Sequence, residues 1–573
     1  MCGCSLGGRL IGGGGMARSE VLKSVFTKDL PLGPISSTDP TQAQLGRIFK
    51  AYFDTHNFPY GQLQLNPTMI VGRKGAGKTD ALLSHMIYNT PKGGEYSPII
   101  FFQDRDAAVS INLVVKQVSD AIQASYPGPM VEQVADFWKG LFQISIVTAI
   151  ASGYSDDTPE LELMRLYVRQ YDIVDADTSE PFRVILKVIQ VLRQLYDKSD
   201  SKKIGLGFFE SLSEIDPGPV GLKEACFAAT AWLRRNSRQS LILFDSVESL
   251  SLDDPNHHLA ISGLLKAIGS FNSAESYMSF RCCIPSEIYF YLTDLSSNTI
   301  KDFNRVMILQ WSASELLRIA AKRCMKFLEL WYPDDYRRFS DAFDVGERSG
   351  AIGFWKAILP DMVKNRADQR NEGTLTYLLR HTQLLPRQII RILNSVISTS
   401  IAQAIENGRA RHFPEITTDT VVQEVAKAEG SICSGILDSY QLVWPQAEEV
   451  LQEVIPRIGS NTISYGDLQS IFAKSRAKEF LEGYRDMFRL LSELGAIGRL
   501  TRSTDRFHVG VFEYSEPNRL IYSTRDVLCV HPIFSNLYNA VDANNPPKDF
   551  KPIYPYGVDP DGEDLRLSRS TLR

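Results

Sequence analysis

The stretch at 68–86, TMIVGRKGAGKTDALLSHM, constrains the fold more than any other part of the chain. An apolar run leads into Gly72-Arg73-Lys74-Gly75-Ala76-Gly77-Lys78-Thr79, and Ala81, Leu82, Leu83, Met86 and Ile87 follow at helical spacing. The order this predicts is strand, glycine-rich loop, helix. The three glycines let the backbone curl until successive N–H groups face one point, and the next helix adds its positive dipole end there. A triphosphate fits such a nest. In this G-x-x-x-x-G-K-[ST] pattern Lys78 reaches the β and γ phosphates, and the Thr79 hydroxyl completes the shell of a magnesium ion. Gly72, Arg73, Lys74, Gly75, Ala76, Gly77, Lys78, Thr79 and Asp80 are the expected nucleotide contacts.

At 573 residues the chain is too long for one core, and about three domains are expected. A net charge of −5 gives no overall pull toward nucleic acid or anionic membrane. The richest apolar stretch, 137–150, is interrupted by Lys139, Gln143, Ser145 and Thr148, and reads as a buried core helix, with no membrane partner. The eight cysteines lack metal spacing, and Cys282 and Cys283 sit in an apolar strand pattern; a reducing cytoplasm is the expected location. The opening MCGCSLGGRLIGGGGM has too short an apolar segment for a signal peptide; it reads as a leader, or the start lies at Met16.

Farther along, 98–102 (PIIFF) reads as a second buried strand, and 107–236 as helical throughout, broken at Pro127, at 152–158 and at Pro217. The strand pattern returns at 240–244 and ends in Asp245-Ser246-Val247-Glu248. An acid at the carboxyl end of such a strand is where a P-loop protein orders its magnesium, so Asp245 is the expected partner of Thr79. Glu248 has two readings, a carboxylate that orients an attacking water or a solvated acid at a helix start. Strands follow at 277–284, ending at Pro285-Ser286-Glu287, and at 306–309, after Arg305. Strands separated by helices describe an α/β protein with a parallel, doubly wound sheet.

Beyond Trp311 the pattern is helical to about 407, with Pro386 suited to the first turn of a helix and Arg387 beside it. After 443, two helical segments precede a stripe through Leu481, Tyr484, Met487, Phe488, Leu491 and Leu494, which Gly495 ends. Alternating segments at 497–500 and 507–511 read as a hairpin, and three helices with such a wing make a winged helix. The expected domains are a leader and short helical segment at 1–60, a P-loop core at 61–312 with a helical insertion at about 105–236, a helical lid at 313–430, a winged helix at 440–543 and a tail at 544–573.

With GRKGAGKT, LILFDSVES, WSASELLRIAAKR and LRHTQLLPRQII together, the chain resembles the AAA+/STAND group of P-loop ATPases, most of all initiator-type and bacterial defence-associated members that end in a winged helix. The resemblance spans about 65–534. It implies that Ser286 takes the sensor-1 place, Arg387 the sensor-2 place in the lid, and Arg305 the place of an arginine finger facing a neighbouring subunit; a turn serine and solvated arginines are the ordinary alternatives. Many members carry their catalytic acid directly after the strand-end aspartate, where this chain has Ser246. Either Glu248 substitutes or hydrolysis is slow, which suits a switch.

The function this implies is a Mg2+-dependent ATPase, an ATP-binding and ATP-hydrolysing molecular switch that couples ATP or ADP to winged-helix orientation and homo-oligomer formation in anti-phage defence or DNA transactions, with an effector protein as a further partner. The alternative is a DNA-binding or scaffold protein that holds ATP without turning it over. Neither the N/T-K-x-D motif of GTPases nor an LSGGQ-like ABC signature is present. Arg476, Arg485 and Arg489 on the helix, and Arg499, Arg502 and Arg506 on or near the wing, are candidates for phosphate contacts; Glu479, Glu482, Asp486 and Glu493 on the same helix suit a solvated or protein-binding face instead.

Overall fold

The computed structural model describes residues 18–35, 68–82, 95–102, 130–170, 219–245, 262–269, 277–287, 289, 306–365, 370–408, 411–441, 443–515, 520–541, 550–558 and 560. Helix α1 (Arg18–Val25) precedes a five-stranded sheet of β1 (Met69–Gly72), β2 (Glu95–Phe102), β3 (Arg238–Phe244), β4 (Met278–Pro285) and β5 (Val306–Ile308). Its order is β2-β3-β4-β1-β5, and every pairing is parallel. Where both faces of such strands are covered they carry near-continuous apolar runs, as at 99–102 and 241–244, and alternate residues enter different cores. Ile70, Leu243, Cys283 and Met307 pack on one side. Met69, Val71, Phe244, Cys282 and Ile284 pack on the other.

The second face is covered by α2 (Met130–Gly153), α3 (Pro159–Gln170) and α4 (Leu222–Arg235). Helix α2 keeps Glu132, Asp136 and Lys139 exposed and packs its apolar residues on the sheet, Trp138 edge-on to Phe244 at 6.1 Å and Phe142 against Phe280 at 4.9 Å between ring centroids. Its stretch Val134–Gly153 has the length and hydropathy of a membrane span, a property not expected from the interrupted run at 137–150; its most apolar window is 76% buried inside the protein.

The region expected to be a lid, and called the lid below for its position alone, consists of α5 (Ala313–Trp331), α6 (Pro333–Ala342), α7 (Arg348–Ile358), the short hairpin β6 (Met362–Lys364) and β7 (Asn371–Gly373), then α8 (Thr374–Arg380), α9 (Pro386–Glu406) and α10 (Thr418–Tyr440). Helix α5 starts on a capping box: the Ser312 hydroxyl accepts from Glu315 N, and the Glu315 carboxylate accepts from Ser312 N. Two features differ from the expected pattern. The hairpin interrupts the helical run to 407, and α10 continues through 430 to Tyr440, because Ile432, Cys433, Ile436 and Tyr440 keep a buried stripe going.

The N-terminal segment joins this lid. The amide of Leu32 donates to Asn394 Oδ1 at 2.7 Å, Asn394 Nδ2 donates to the Gly33 carbonyl at 2.9 Å, and the Trp331 indole donates to the Phe26 carbonyl at 2.6 Å. The expected short helix near 47–53 lies outside the described residues.

The C-terminal domain contains α11 (Ala447–Val454), β8 (Thr462–Ser464), α12 (Tyr465–Lys474), α13 (Tyr484–Glu493), β9 (Ile497–Ser503), β10 (His508–Val511), β11 (Val527–Val530), α14 (Pro532–Leu537) and β12 (Ile553–Pro555). The sheet order is β12-β10-β9-β11-β8, with β9 and β10 antiparallel as a hairpin. Met487, Leu490, Leu491 and Leu494 face the core. Arg476 and Glu479 lie on a separate 3-10 turn rather than on α13, because extended Gly483 caps α13 and starts it afresh at Tyr484. The segment read as a tail also contributes structure: β12 pairs parallel with β10, Ile553 and Tyr554 are buried, and the Tyr554 hydroxyl donates to Glu372 Oε2 at 2.5 Å.

His531 sits at the start of α14, fully buried, with Nδ1 accepting from Ile533 N and Nε2 paired to the Tyr514 hydroxyl at 2.9 Å. Burial, with His381 next, lowers its pKa from 6.5 to about 3. The folded state therefore holds it neutral, and the stability this gives is present above pH 6.5 and is lost as pH falls toward 3. Between pH 7 and pH 5 urea unfolding should lose about 2 kcal/mol from this group. His531→Asn, which keeps a helix cap, is expected to be less stable at pH 7 and to show a shallower fall; an unchanged pH slope removes His531 as its cause.

Candidate functional site

The loop after β1 turns on glycines the sequence put in place for it. Gly75 and Gly77 have φ of +92° and +86°, where side chains are strained. A Cβ on Gly75 would also stand 3.0 Å from Arg387 Cβ, so the loop and the start of α9 touch through that glycine. The Trp311 indole donates to the Ala76 carbonyl at 2.8 Å and ties the loop to the start of the lid.

Lys78 is buried and donates through Nζ to the Arg73 carbonyl at 3.3 Å. The Thr79 hydroxyl, in the helical turn at 78–82, donates to Asp245 Oδ2 at the carboxyl end of β3. That contact joins two residues 166 positions apart. Asp80 is half-buried; burial raises its pKa, against the pull of Arg323 and Arg387. Burial, aided by Asp245, likewise pushes the Cys283 thiol well above its usual range.

At the end of β4 the Ser286 hydroxyl donates to Glu287 Oε2 at 3.3 Å, and Glu287 Oε1 accepts the backbone N–H of Lys74 at 3.0 Å. A loop amide, the kind of donor that binds phosphate, is thus held by a buried carboxylate. Arg387 lies against Gly75, with its amide donating to the Gly75 carbonyl at 3.4 Å and its Nε to the Ile35 carbonyl at 3.3 Å. Arg323 holds the same N-terminal segment through the carbonyls of Leu32 and Pro34. Glu248, Ser246 and Arg305 lie outside the described residues.

Arg73 departs from the expected arrangement. Its side chain does not line the phosphate nest but runs into the lid and the C-terminal domain. Nη1 donates to Gln383 Oε1 at 3.1 Å, and Nη2 to the Tyr440 hydroxyl at 2.7 Å and the Glu493 carbonyl at 2.6 Å. The guanidinium stacks over Tyr440 and Tyr514 at 5.5 and 5.6 Å. Burial works to lower its pKa, but Tyr440 and Glu287 outweigh that and hold it above the ordinary value. A cavity of about 340 Å³ opens beside it, lined by Arg73, Lys74, Glu287, Gln383, Arg387 and Tyr440 among others.

The oxygens of Thr79 and Asp245 are the hard donors magnesium prefers. Among the described residues no group of three or more His, Cys, Asp or Glu side chains could hold a metal, so an ion at Thr79 and Asp245 needs phosphate oxygens as further ligands. Sequence reasoning passed over Glu287, Arg323 and Tyr440. Glu287 alone carried a local signal, an acid directly after the strand-end serine.

No protein-family model matches the chain, and no curated protein matches it. Among solved structures, the ORC2 protein of Aeropyrum pernix is similar in two forms: its ADPNP–ADP complexes at 14% identity and a TM-score of 0.36, and its ADP form at 13% and 0.28, each covering 87% of this chain and 91% of the other.

Proposed function

We propose that the chain is a magnesium-dependent ATP-binding switch of the AAA+/STAND kind, with a doubly wound P-loop core, a helical lid and a C-terminal winged helix. The observation that carries the reading is the contact between Thr79 and Asp245 at the mouth of a glycine loop with two left-handed turns. A loop of this shape presents N–H groups to the phosphates, Lys78 brings its charge to them, and Arg387, packed on Gly75, is in reach as a lid contact. Magnesium supplies charge neutralisation on the phosphates, with Thr79 and Asp245 as its protein ligands. Ser246 directly after Asp245 favours slow turnover or none.

Lys78→Ala is expected to weaken ATP binding about 30- to 150-fold while leaving the fold intact, since charge-assisted phosphate contacts contribute about 2–3 kcal/mol. Asp245→Asn should remove most of the magnesium dependence of the affinity that remains in that variant. Nucleotide titrations with magnesium or EDTA check both, and unchanged ATP affinity in Lys78→Ala sinks the site.

A DNA role for the winged helix rests on fewer arginines than the sequence offered. Arg476 pairs with Glu479, Arg489 with Glu493, and Arg499 donates to the Ile521 carbonyl. Arg485 is exposed on α13, and on the hairpin Arg502, whose guanidinium lies 5.2 Å over the Phe507 ring, and Arg506 are exposed too. If these two hairpin arginines meet phosphates, duplex binding in the double alanine variant should show a log–log salt slope shallower by about two units. An unchanged slope assigns the hairpin to protein contacts.

A further inference from the structure

The Arg73 side chain reaches from the P-loop to the C-terminal domain, and the atoms around it form a continuous chain. Its carbonyl accepts from Ala76 N at 2.9 Å and from Lys78 Nζ at 3.3 Å, so the ammonium that serves phosphate also holds the Arg73 peptide. Its guanidinium ends on the Glu493 carbonyl, at the C-terminus of α13. The last carbonyls of a helix have no partner within it and carry its negative dipole end. Here they are covered from outside. Glu493 C=O accepts from Arg73 and from the Tyr440 hydroxyl at 2.6 Å, and Leu494 C=O accepts from Gln383 Nε2 at 2.7 Å. Gly495, with φ of +70°, permits the approach, since a Cβ there would stand 2.9 Å from both Gln383 Nε2 and Tyr514 Cδ1.

Resting on the nucleotide reading above, we infer that Arg73 is a positioning residue that latches the C-terminal domain to the P-loop and is loosened by ATP. When Lys78 turns to the outer phosphates it leaves the Arg73 carbonyl. The Arg73 peptide is then held by Ala76 N alone of these two donors, and the fork on Glu493 and Tyr440 loses its fixed base. A guanidinium has five donors and no acceptor and stays charged, so it holds its place only while several acceptors face it together. Binding linkage runs both ways: if ATP loosens the latch, weakening the latch from the far side tightens ATP by the same factor.

That reciprocity gives the test. Tyr440→Phe keeps the ring under the guanidinium and removes the hydroxyl that bridges Arg73 to Glu493, at a residue on the lid rather than in the loop. Arg73→Lys keeps the charge and removes the fork. Fluorescent-nucleotide titration and amide hydrogen exchange are measured on the full chain with ATP, with ADP and with neither. In the wild type, ATP should speed exchange in α13 at least about fivefold, and ADP should do so less. Both variants should show faster exchange without nucleotide, a smaller response to ATP, and ATP binding that is tighter by about the lost factor. Structural damage alone weakens ATP binding, so the direction of the affinity change separates the two. Exchange in α13 that ignores ATP in the wild type, or ATP bound by Tyr440→Phe no more tightly than by wild type, overturns the latch. If the wild type binds no ATP, the nucleotide reading falls first, and the same titration shows it.

Discussion

A buried guanidinium has to be surrounded by acceptors, and this structure satisfies one by bringing its parts together around it. Arg73 leaves the loop after β1 and finds acceptors on the α8–α9 connection, on the last residue of α10 and on the last residue of α13. If any of these withdraws, a charged fork is left in a low-dielectric site with donors unmet, which is costly. Loop, lid and C-terminal domain are therefore specified together.

The same logic runs through the rest of that interface. Arg380 makes two bonds of 2.9 Å to the Glu372 carboxylate, which also accepts from Tyr554 on β12. His381 pairs with Glu429 at 2.5 Å, and Asn536 on α14 donates to the same carboxylate oxygen at 2.8 Å. Polar groups buried in this way define one arrangement of the two domains more sharply than an apolar contact does, because each geometry that breaks a pair leaves a charge or a donor stranded.

Strand β1, its glycine loop and the acid at the end of β3 were legible in the sequence, because apolar runs, a glycine-rich spacing and a strand-end carboxylate are local patterns. The direction of Arg73 was not: it depends on partners 310, 367 and 420 positions away, and nothing near Arg73 marks it as facing away from the phosphates. The N-terminal clamp escaped for the same reason, since Leu32 and Asn394 are 362 positions apart. The β6–β7 hairpin and β12 are three-residue strands, too short for alternation to register, and β12 is fixed by the burial of Ile553 and Tyr554 rather than by its own pattern. Helix α13 was read too long because the stripe continues in register across Gly483, whose extended backbone ends one element and opens the next.

The account stands on a nucleotide being held between the glycine loop and the Thr79–Asp245 pair. Calorimetric titration of the wild-type full chain with ATP, once with magnesium and once with EDTA, tests it most directly. The account predicts one ATP per chain and an affinity at least about tenfold tighter with magnesium. No binding at millimolar ATP, or binding indifferent to magnesium, would contradict it.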